Sequence, residues 1–555
     1  MSLEIERLSE LPIDPEFEGS SYVDVLTQRF SRHPHNPRMT LRPIQAHMLV
    51  QAIRADGLIA LAGCGEGKTL TSLLLPLVLD AERPLIILPA SMRTQFLSDF
   101  ESYNEAWKLK PIDVMSYEGL SSPSQVQRLD ELSPDLIICD EAHKLKNLKS
   151  ARVRRLEQYL LKTRTRLCAL SGTMVSRSIR EYAHVANWAL RAWSPLPRDN
   201  STIHLFARVV EDNEGDQRDH EAFERAMHRF RGSHEERMHQ RLRNSKGVVI
   251  TKSQRVGATL RLERKRFKMP DTLKTSITKL LNEQNVVSAT HDLLDHETIN
   301  RLFASRELWS PQDAIYSRVW AQILMGFVYI WDWGDRAPDA EWVHARREWS
   351  STVNRILDRG EFDSEALLKH AIRKNEYQNT RVLSSFQRWE SVAHRPPPKT
   401  QAIWIDESWV RDVAQWAFDQ KDPPIIWVNL GAIAHKLAEL TCFPVYGGGV
   451  HASRRLDEAK HTAHPCIMSI TAHGTGKNLQ AWRNQIIAHP LAHPARWEQM
   501  LARTHRHGQQ ADEVSCLVYT HSLFGRALRK ARKDAKYIEE TTGQEQRLNY
   551  CVKTY

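Results

Sequence analysis

The sequence is poor in what a secreted, metal-built or membrane-spanning protein needs. It has only seven cysteines, at 64, 139, 168, 442, 466, 516 and 551, and no two form a C-x-x-C pair. That spacing offers neither a disulfide framework nor a zinc site. Three of the seven lie in or beside apolar runs, where cysteine acts as a small hydrophobe in a reducing compartment. No H-E-x-x-H occurs among the 25 histidines. His489 and His493 are four apart, but Pro490 and Pro494 interrupt any helix that would align them. No apolar run approaches the roughly 20 residues of a membrane helix, and the acidic start Met1–Glu6 lacks a signal-peptide core. The expectation is a soluble, intracellular protein without membrane contact, disulfides or a metal cage.

What is present is length, charge and alternation. At 555 residues and 41% hydrophobic content, the chain can bury several cores. Lys and Arg number 77 against 67 Asp and Glu, a formal net charge of +10. A mildly basic surface is consistent with a polyanionic partner without specifying one. Residues 1–37 read as a loosely packed lead-in. From 38 to 265, short apolar strands such as Leu85–Leu88, Leu136–Cys139 and Leu167–Leu170 alternate with helices, the pattern of a doubly wound α/β domain. A charge-mixed helical stretch at 178–245 interrupts it, with Phe223, Met227 and Phe230 marking one face. That stretch is either a protrusion toward a polyanion or a salt-laced solvent face. Residues 266–398 read as a helical insert ending in the stiff connector Pro396-Pro397-Pro398. Its tryptophans, including Trp331, Trp342 and Trp349, read as helix-packing residues. Strands reappear at Ile425–Val428, Ile467–Ile470, Gln485–Ile487 and Leu517–Tyr519, placing a second α/β domain at 399–535. Residues 536–555 read as a polar tail.

Two segments carry chemistry. Gly65-Glu66-Gly67-Lys68-Thr69 follows the apolar run 57–62 and precedes Leu73-Leu74-Leu75, a strand, a glycine loop and a helix start. Successive backbone N–H groups at such a helix N-terminus can cradle phosphate oxygens. Lys68 would reach the β- and γ-phosphates and the Thr69 hydroxyl would hold Mg²⁺. Ala62 stands where the full phosphate-loop pattern has glycine, and a glycine turn that binds nothing fits the same five residues. The second segment, Asp135–His143, is a buried strand ending in acids. In an open α/β sheet, ligands bind at that carboxyl end. Asp140 would hold the metal and Glu141 would position and polarise a water.

Further motifs follow in order. Gln499-Met500-Leu501-Ala502-Arg503-Thr504-His505-Arg506-His507-Gly508-Gln509 resembles the sixth motif of superfamily-two helicases, in particular the Swi/Snf-type DNA translocases, with Ala502 for the usual Gly. Gly474–Gln480 resembles the fifth motif, with Lys477 where Leu is usual. Asp140–Asn147 resembles the extended second motif, of Asp-Glu-Ala-His type. Leu41-Arg42-Pro43-Ile44-Gln45 resembles the motif that opens the first lobe, and Ser171-Gly172-Thr173 the third. Gln322–Tyr329 resembles a helical segment of bacteriophage and bacterial members. The likeness spans 40 to about 520; the departures at Ala62, Cys64-Gly65-Glu66 and Met174-Val175 bear on the subfamily.

The resemblance implies two RecA-like lobes with helical insertions between and within them. It implies an ATP hydrolase with Mg²⁺ that couples turnover to movement along duplex DNA without reading its sequence. Gln45 and Arg42 would meet the adenine; Gly65, Gly67, Lys68, Thr69 and Gly476 would line the nucleotide. Arg503 and Arg506 would cross the cleft to the γ-phosphate. His143, Ser171, Thr173 and Gln499 would couple the sites. Ser91, Ser116, Tyr117 and Arg177 on the first lobe, and Asn429, Thr471, Thr475 and Lys477 on the second, would touch DNA. A compact motor without appended modules fits a monomer in the cytoplasm of a prokaryotic or phage-infected cell (the nucleus if eukaryotic), alongside replication or repair proteins. The competing readings are a strand-separating helicase on DNA or RNA and a non-hydrolysing DNA-binding scaffold.

Overall fold

The computed structural model describes residues 2–14, 19–33, 39–63, 65–122, 127–148, 150–172, 174, 178–212, 215–251, 256–268, 270–271, 322–323, 325–359, 362, 364–375, 377–474, 477–489, 491–506, 508–520 and 524–554. Fifteen strands are found among them: β1 Leu58–Leu61, β2 Pro84–Leu88, β3 Asp113–Ser116, β4 Leu136–Asp140, β5 Arg166–Ser171, β6 Val248–Ile250, β7 Thr259–Arg266, β8 Phe327–Asp332, β9 Lys399–Trp404, β10 Pro424–Val428, β11 Val445–Tyr446, β12 Cys466–Ser469, β13 Asn484–Ile487, β14 Glu513–Thr520 and β15 Val552–Thr554.

Two large parallel sheets are found among the described residues, beside a two-stranded antiparallel one. The first runs β3-β2-β4-β5-β1-β6 and the second β11-β12-β10-β13-β14-β7-β15. Each is buried on both faces, which is why its central strands read as continuous apolar runs. Side chains alternate across the sheet. Ile137 and Cys139 of β4 enter one core while Leu136 and Ile138 enter the other. In β10, Ile425 and Trp427 face one side, Ile426 and Val428 the opposite. This is the expected α/β architecture of two RecA-like lobes. Five cysteines (139, 168, 466, 516 and 551) are buried and unpaired, and burial pushes the Cys139 thiol up to about 12.

Several segments differ from the sequence reading. The lead-in carries the helix Ser2–Glu10, whose Ile5 and Leu8 are buried in the first-lobe core. Its Arg7 donates to the carbonyls of Ser194 and Leu196 at 2.8 and 2.9 Å. Phe223, Met227 and Phe230 are buried in that same core, so the 178–245 stretch turns its apolar face inward. Strand β7 belongs to the second sheet, paired with β14 over eight residues from Thr259↔Glu513 to Arg266↔Thr520. The insert is not wholly helical. Phe327–Tyr329, expected to be helical, lie in β8, which pairs antiparallel with β9. Beyond the hairpin, Trp342, Trp349, Phe386 and Trp389 form the core of the helices Ala340–Arg359, Glu365–Arg373 and Thr380–Val392, as their packing role required.

The C-terminal residues are part of the fold rather than a tail. The helix Phe524–Thr542 places Leu528, Ala531 and Ala535 in the second-lobe core and Ile538 in the first-lobe core. Tyr537 Oη donates to Glu211 Oε1 of the first lobe at 3.1 Å. The chain then returns through the helix Arg547–Tyr550 to β15, which adds to the edge of β7.

Candidate nucleotide site between the lobes

The glycine loop lies between β1 and the helix Lys68–Val78. Gly65 (φ +94°) and Gly67 (φ +77°) both sit in the left-handed region that glycine alone adopts freely. A Cβ on Gly67 would also fall 2.3 Å from Gln45 Nε2. Gln45 uses both ends of its amide: Nε2 donates to the Gly67 carbonyl at 3.1 Å and Oε1 accepts from the Arg42 N–H at 2.9 Å. Arg42 Nη1 donates to the Gly65 carbonyl at 2.8 Å. Gln45 and Arg42 therefore hold the loop itself. Lys68 Nζ donates to the carbonyls of Ala62 and Gly63, both at 2.9 Å, curling over the loop. Thr251, just after β6, was not singled out from sequence. Its Oγ1 accepts from the Gly63 N–H at 3.0 Å and ties the loop to the sheet edge.

The acids stand at the carboxyl end of β4. Asp140 Oδ1 accepts from the Glu141 N–H at 3.0 Å, and Glu141 takes a left-handed conformation (φ 55°, ψ 47°) that costs a non-glycine residue on the order of 1–3 kcal/mol. Both are buried. For Asp140, burial and the Glu141 charge raise the pKa against the pull of Lys68. For Glu141, burial acts the same way but is outweighed by His143, Lys68 and Arg503, and the carboxyl is held below its ordinary range. His143 Nδ1 lies 3.2 Å from Glu141 Oε2 and 3.2 Å from Ser171 Oγ at the end of β5. The second and third motifs are thus brought together.

The donor set fits Mg²⁺. Among the described residues no group of three or more His, Cys, Asp or Glu forms a metal cage. Mg²⁺ bound with a nucleotide needs only one or two protein oxygens beside the phosphates. Asp140 and Glu141 adjoin at a strand end and are both buried, and the Glu141 charge raises the Asp140 pKa, a repulsion that a divalent cation on the Asp140 oxygens would relieve.

Arg503 and Arg506 come from the second lobe, at the end of the helix Pro494–Thr504. Arg503 is buried; its Nε donates to the Gln499 carbonyl at 2.8 Å and Nη1 to the Lys477 carbonyl at 3.2 Å. Arg506 Nη1 donates to Asn478 Oδ1. Its Nη2 lies 3.8 Å from where a Cβ on Gly65 would be. One arginine is therefore near enough to act electrostatically on Glu141, and the other sits against the glycine loop.

The residues expected to touch DNA fare unevenly. Ser91 is exposed in the turn Ala90–Met92 after β2. Ser116, at the end of β3, accepts from the Gly119 N–H at 2.9 Å. Asn429 and Thr471, both exposed after β10 and β12, are joined by a 2.9 Å hydrogen bond from Thr471 Oγ1. Tyr117 is a correction: its side chain is wholly buried under the second-motif strand and its Oη donates to the Asp140 carbonyl at 2.9 Å. Lys477 is ion-paired with Asp457 at 2.5 Å. Thr173, Arg177, Thr475 and Gly476 lie outside the described residues.

His505, between the two arginines, is buried with Nε2 2.9 Å from the Ala258 carbonyl. Burial, aided by Arg547, depresses its pKa from 6.5 to about 4. His184 is likewise depressed to about 4 by burial, against its contact with the Leu145 carbonyl. Each must become charged when the chain unfolds in mild acid. Their stabilising contribution is full above pH 6.5 and is lost as pH falls toward 4, on the order of 3 kcal/mol each. The melting temperature should therefore drop between pH 6.5 and 5, and His184→Gln should flatten that slope. A melting temperature unchanged over this range would refute the assignment.

Comparison with known proteins adds a partial likeness. Residues 101–192 match the SNF2-related domain family, a stretch that contains the second and third motifs. Among curated proteins none matches. The solved structures that match include the helicase domain of Hef from Pyrococcus furiosus, with 11% identity, 88% of this chain and 97% of that chain covered, and a TM-score of 0.39. At that score the likeness carries no argument, and the fold rests on the two sheets themselves. No helix among the described residues is long and apolar enough to cross a membrane.

Proposed function

We propose that the chain is a nucleic-acid-stimulated ATPase that steps along duplex DNA. The observation that carries this is the composite site, with Arg506 of one lobe lying against Gly65 of the other. A nucleotide in the loop would be enclosed only when the lobes meet, so hydrolysis would depend on lobe position. Lys68, held over the loop by two carbonyls, would exchange them for the β- and γ-phosphate oxygens. Thr69 and Asp140 would hold Mg²⁺, which neutralises phosphate charge when bound. Gly476 would border the nucleotide from the second lobe. Glu141 would orient the attacking water and accept its proton, in a setting that keeps its carboxylate ionised. Arg503 and Arg506 would offset the charge that develops on the γ-phosphate.

The DNA candidates support the second half of the reading. Ser91 and Ser116 follow β2 and β3 in the first sheet, and Asn429 and Thr471 follow β10 and β12 in the second. All lie at the carboxyl ends of neighbouring strands, where small polar groups and backbone can hold phosphates without reading bases. With a net charge of +10, affinity should fall steeply with salt, by about 0.9 in log K per log salt for each phosphate neutralised on duplex. A flat salt response, or preference for one sequence, would contradict a phosphate grip.

The direct test is steady-state ATPase activity with no nucleic acid, single strand, duplex and RNA in parallel. It is paired with triplex-strand displacement and fork unwinding on one DNA design. Stimulation by duplex and ATP-dependent triplex displacement without fork opening are expected. Fork opening without triplex displacement would make the protein a strand-separating helicase. Absence of hydrolysis under all four conditions would leave a DNA-binding scaffold.

A further inference from the structure

We infer that Gln544 and Arg547 are positioning residues that seat the sixth-motif arginines against the glycine loop. This rests on the ATPase reading above. Both residues lie in the segment that crosses between the lobes after the helix Phe524–Thr542, and both are buried. Gln544 Nε2 donates to the carbonyl of Gly172 at 2.7 Å, which fastens the segment to the third motif of the first lobe. Three residues on, Arg547 is ion-paired with Glu498, and its N–H donates to Glu498 Oε2 at 2.8 Å. Glu498 is on the helix Pro494–Thr504 that carries Arg503. Arg547 Nη2 also donates to the carbonyl of His505, the residue immediately before Arg506, at 3.2 Å.

The consequence is a continuous chain of contacts beside the candidate nucleotide site. From Glu141 it passes to His143 and Ser171, along the backbone to Gly172, through Gln544 and Arg547, and into the helix and turn that carry Arg503 and Arg506. Two features suggest that this chain of contacts is specified rather than incidental. Gly543 (φ +70°) turns the chain where a Cβ would lie 2.0 Å from His239 Nε2 of the first lobe, so the segment fits only as a close approach. Arg547 is a buried charge, and such a charge is retained only where its partners are well placed. The catalytic carboxylate and the arginines come from different lobes. A buried segment that bonds to both lobes is a physical means of fixing their separation, and misplacement of a catalytic group by about 1 Å can cost about 100-fold in rate.

The test uses the full-length protein and duplex-stimulated ATPase. Gln544→Leu removes the donor to Gly172 with little change in volume. Arg547→Lys keeps a positive charge for Glu498 while removing the second bond to His505. Each should lower kcat about 10- to 100-fold with ATP affinity within about twofold of wild type. A purely structural role would lower the melting temperature and the active fraction but leave kcat per folded molecule intact. The discriminating measurement is the double-mutant cycle with Arg506→Ala. If Gln544 acts through the arginines, Gln544→Leu has little further effect once Arg506 is gone. An undiminished effect in the Arg506→Ala background, or wild-type kcat in both single variants, overturns the inference. Should Arg547→Lys fail to fold, the Gln544→Leu cycle decides alone. Lack of ATPase activity in the wild type would instead refute the proposed function.

Discussion

Glu141→Gln should bind ATP about as well as wild type and hydrolyse it roughly 10²–10⁴-fold more slowly, the usual span for loss of a general base. The expectation follows from where the residue is held. Its left-handed backbone turns it out of the line of β4, directly after Asp140. Its carboxyl is kept ionised in a buried setting by His143, Lys68 and Arg503. The amide keeps the shape but can neither accept a proton nor carry that charge. Lys68→Ala should behave differently, because Lys68 belongs to the loop that would hold the phosphates. Both nucleotide affinity and turnover should be lost, and the curl of the loop around the Ala62 and Gly63 carbonyls should loosen. Nucleotide affinity by equilibrium titration and single-turnover hydrolysis, measured for both variants, separate binding from chemistry. Wild-type turnover in Glu141→Gln would remove it from the reaction.

How much of this was legible in the sequence depended on how local the signal was. The central strands β1, β4 and β10 announce themselves because burial on both faces demands uninterrupted apolar residues. Strand β7 does not. Leu260 and Leu262 alternate with Arg261 and Glu263, and its partner β14 lies some 250 residues away. Nothing in a local window assigns such a strand to the later sheet. The C-terminal helix is obscured by composition. Its buried positions include Ala531 and Ala535, small residues set among many lysines and arginines, so polarity masks a face that packs on both lobes.

The candidate site divides in the same way. Lys68, Asp140 and Glu141 are legible because a strand, a turn and a helix start place them within a few residues of a β-strand end. Motif resemblance located Arg503 and Arg506 without their neighbours. It also transferred positions without side-chain direction, and Tyr117 shows the cost. The end of β3 and the start of the short helix Tyr117–Leu120 point that ring into the core beneath Asp140, where a DNA strand cannot reach it. Lys477 departs from the pattern it was matched to, and its ion pair with Asp457, 20 residues earlier, carries no signal in that pattern. Thr251, Gln544 and Arg547 carry no motif at all. Their contacts depend on chain separations of 188, 372 and 49 residues, which a reading along the sequence has no means to close.

Arg506→Ala should reduce duplex-stimulated hydrolysis by about 10³–10⁵-fold, the range for an arginine that stabilises phosphoryl-transfer charge, while leaving ATP bound to the first lobe. Arg506 reaches from the second lobe toward the first. One guanidinium nitrogen is held by Asn478 and the other faces the glycine loop at Gly65. Arg503→Ala should also abolish most of the stimulated rate, but with a second signature. Its guanidinium fastens the backbone of Gln499 and Lys477, and Leu479 N–H in turn donates to the Arg503 carbonyl at 3.0 Å. Losing it should loosen the fifth-motif segment and lower the melting temperature as well as kcat. The two substitutions are therefore separable by three measurements: nucleotide affinity, unchanged in both; melting temperature, lowered in Arg503→Ala alone; and stimulated kcat, lost in both. A lysine variant adds a check on mechanism. Arg506→Lys retains a charge but not the planar fork that spans Asn478 and the loop, and should recover little of the rate. Wild-type stimulated hydrolysis in Arg506→Ala would mean that the second lobe closes on the nucleotide without contributing to its cleavage.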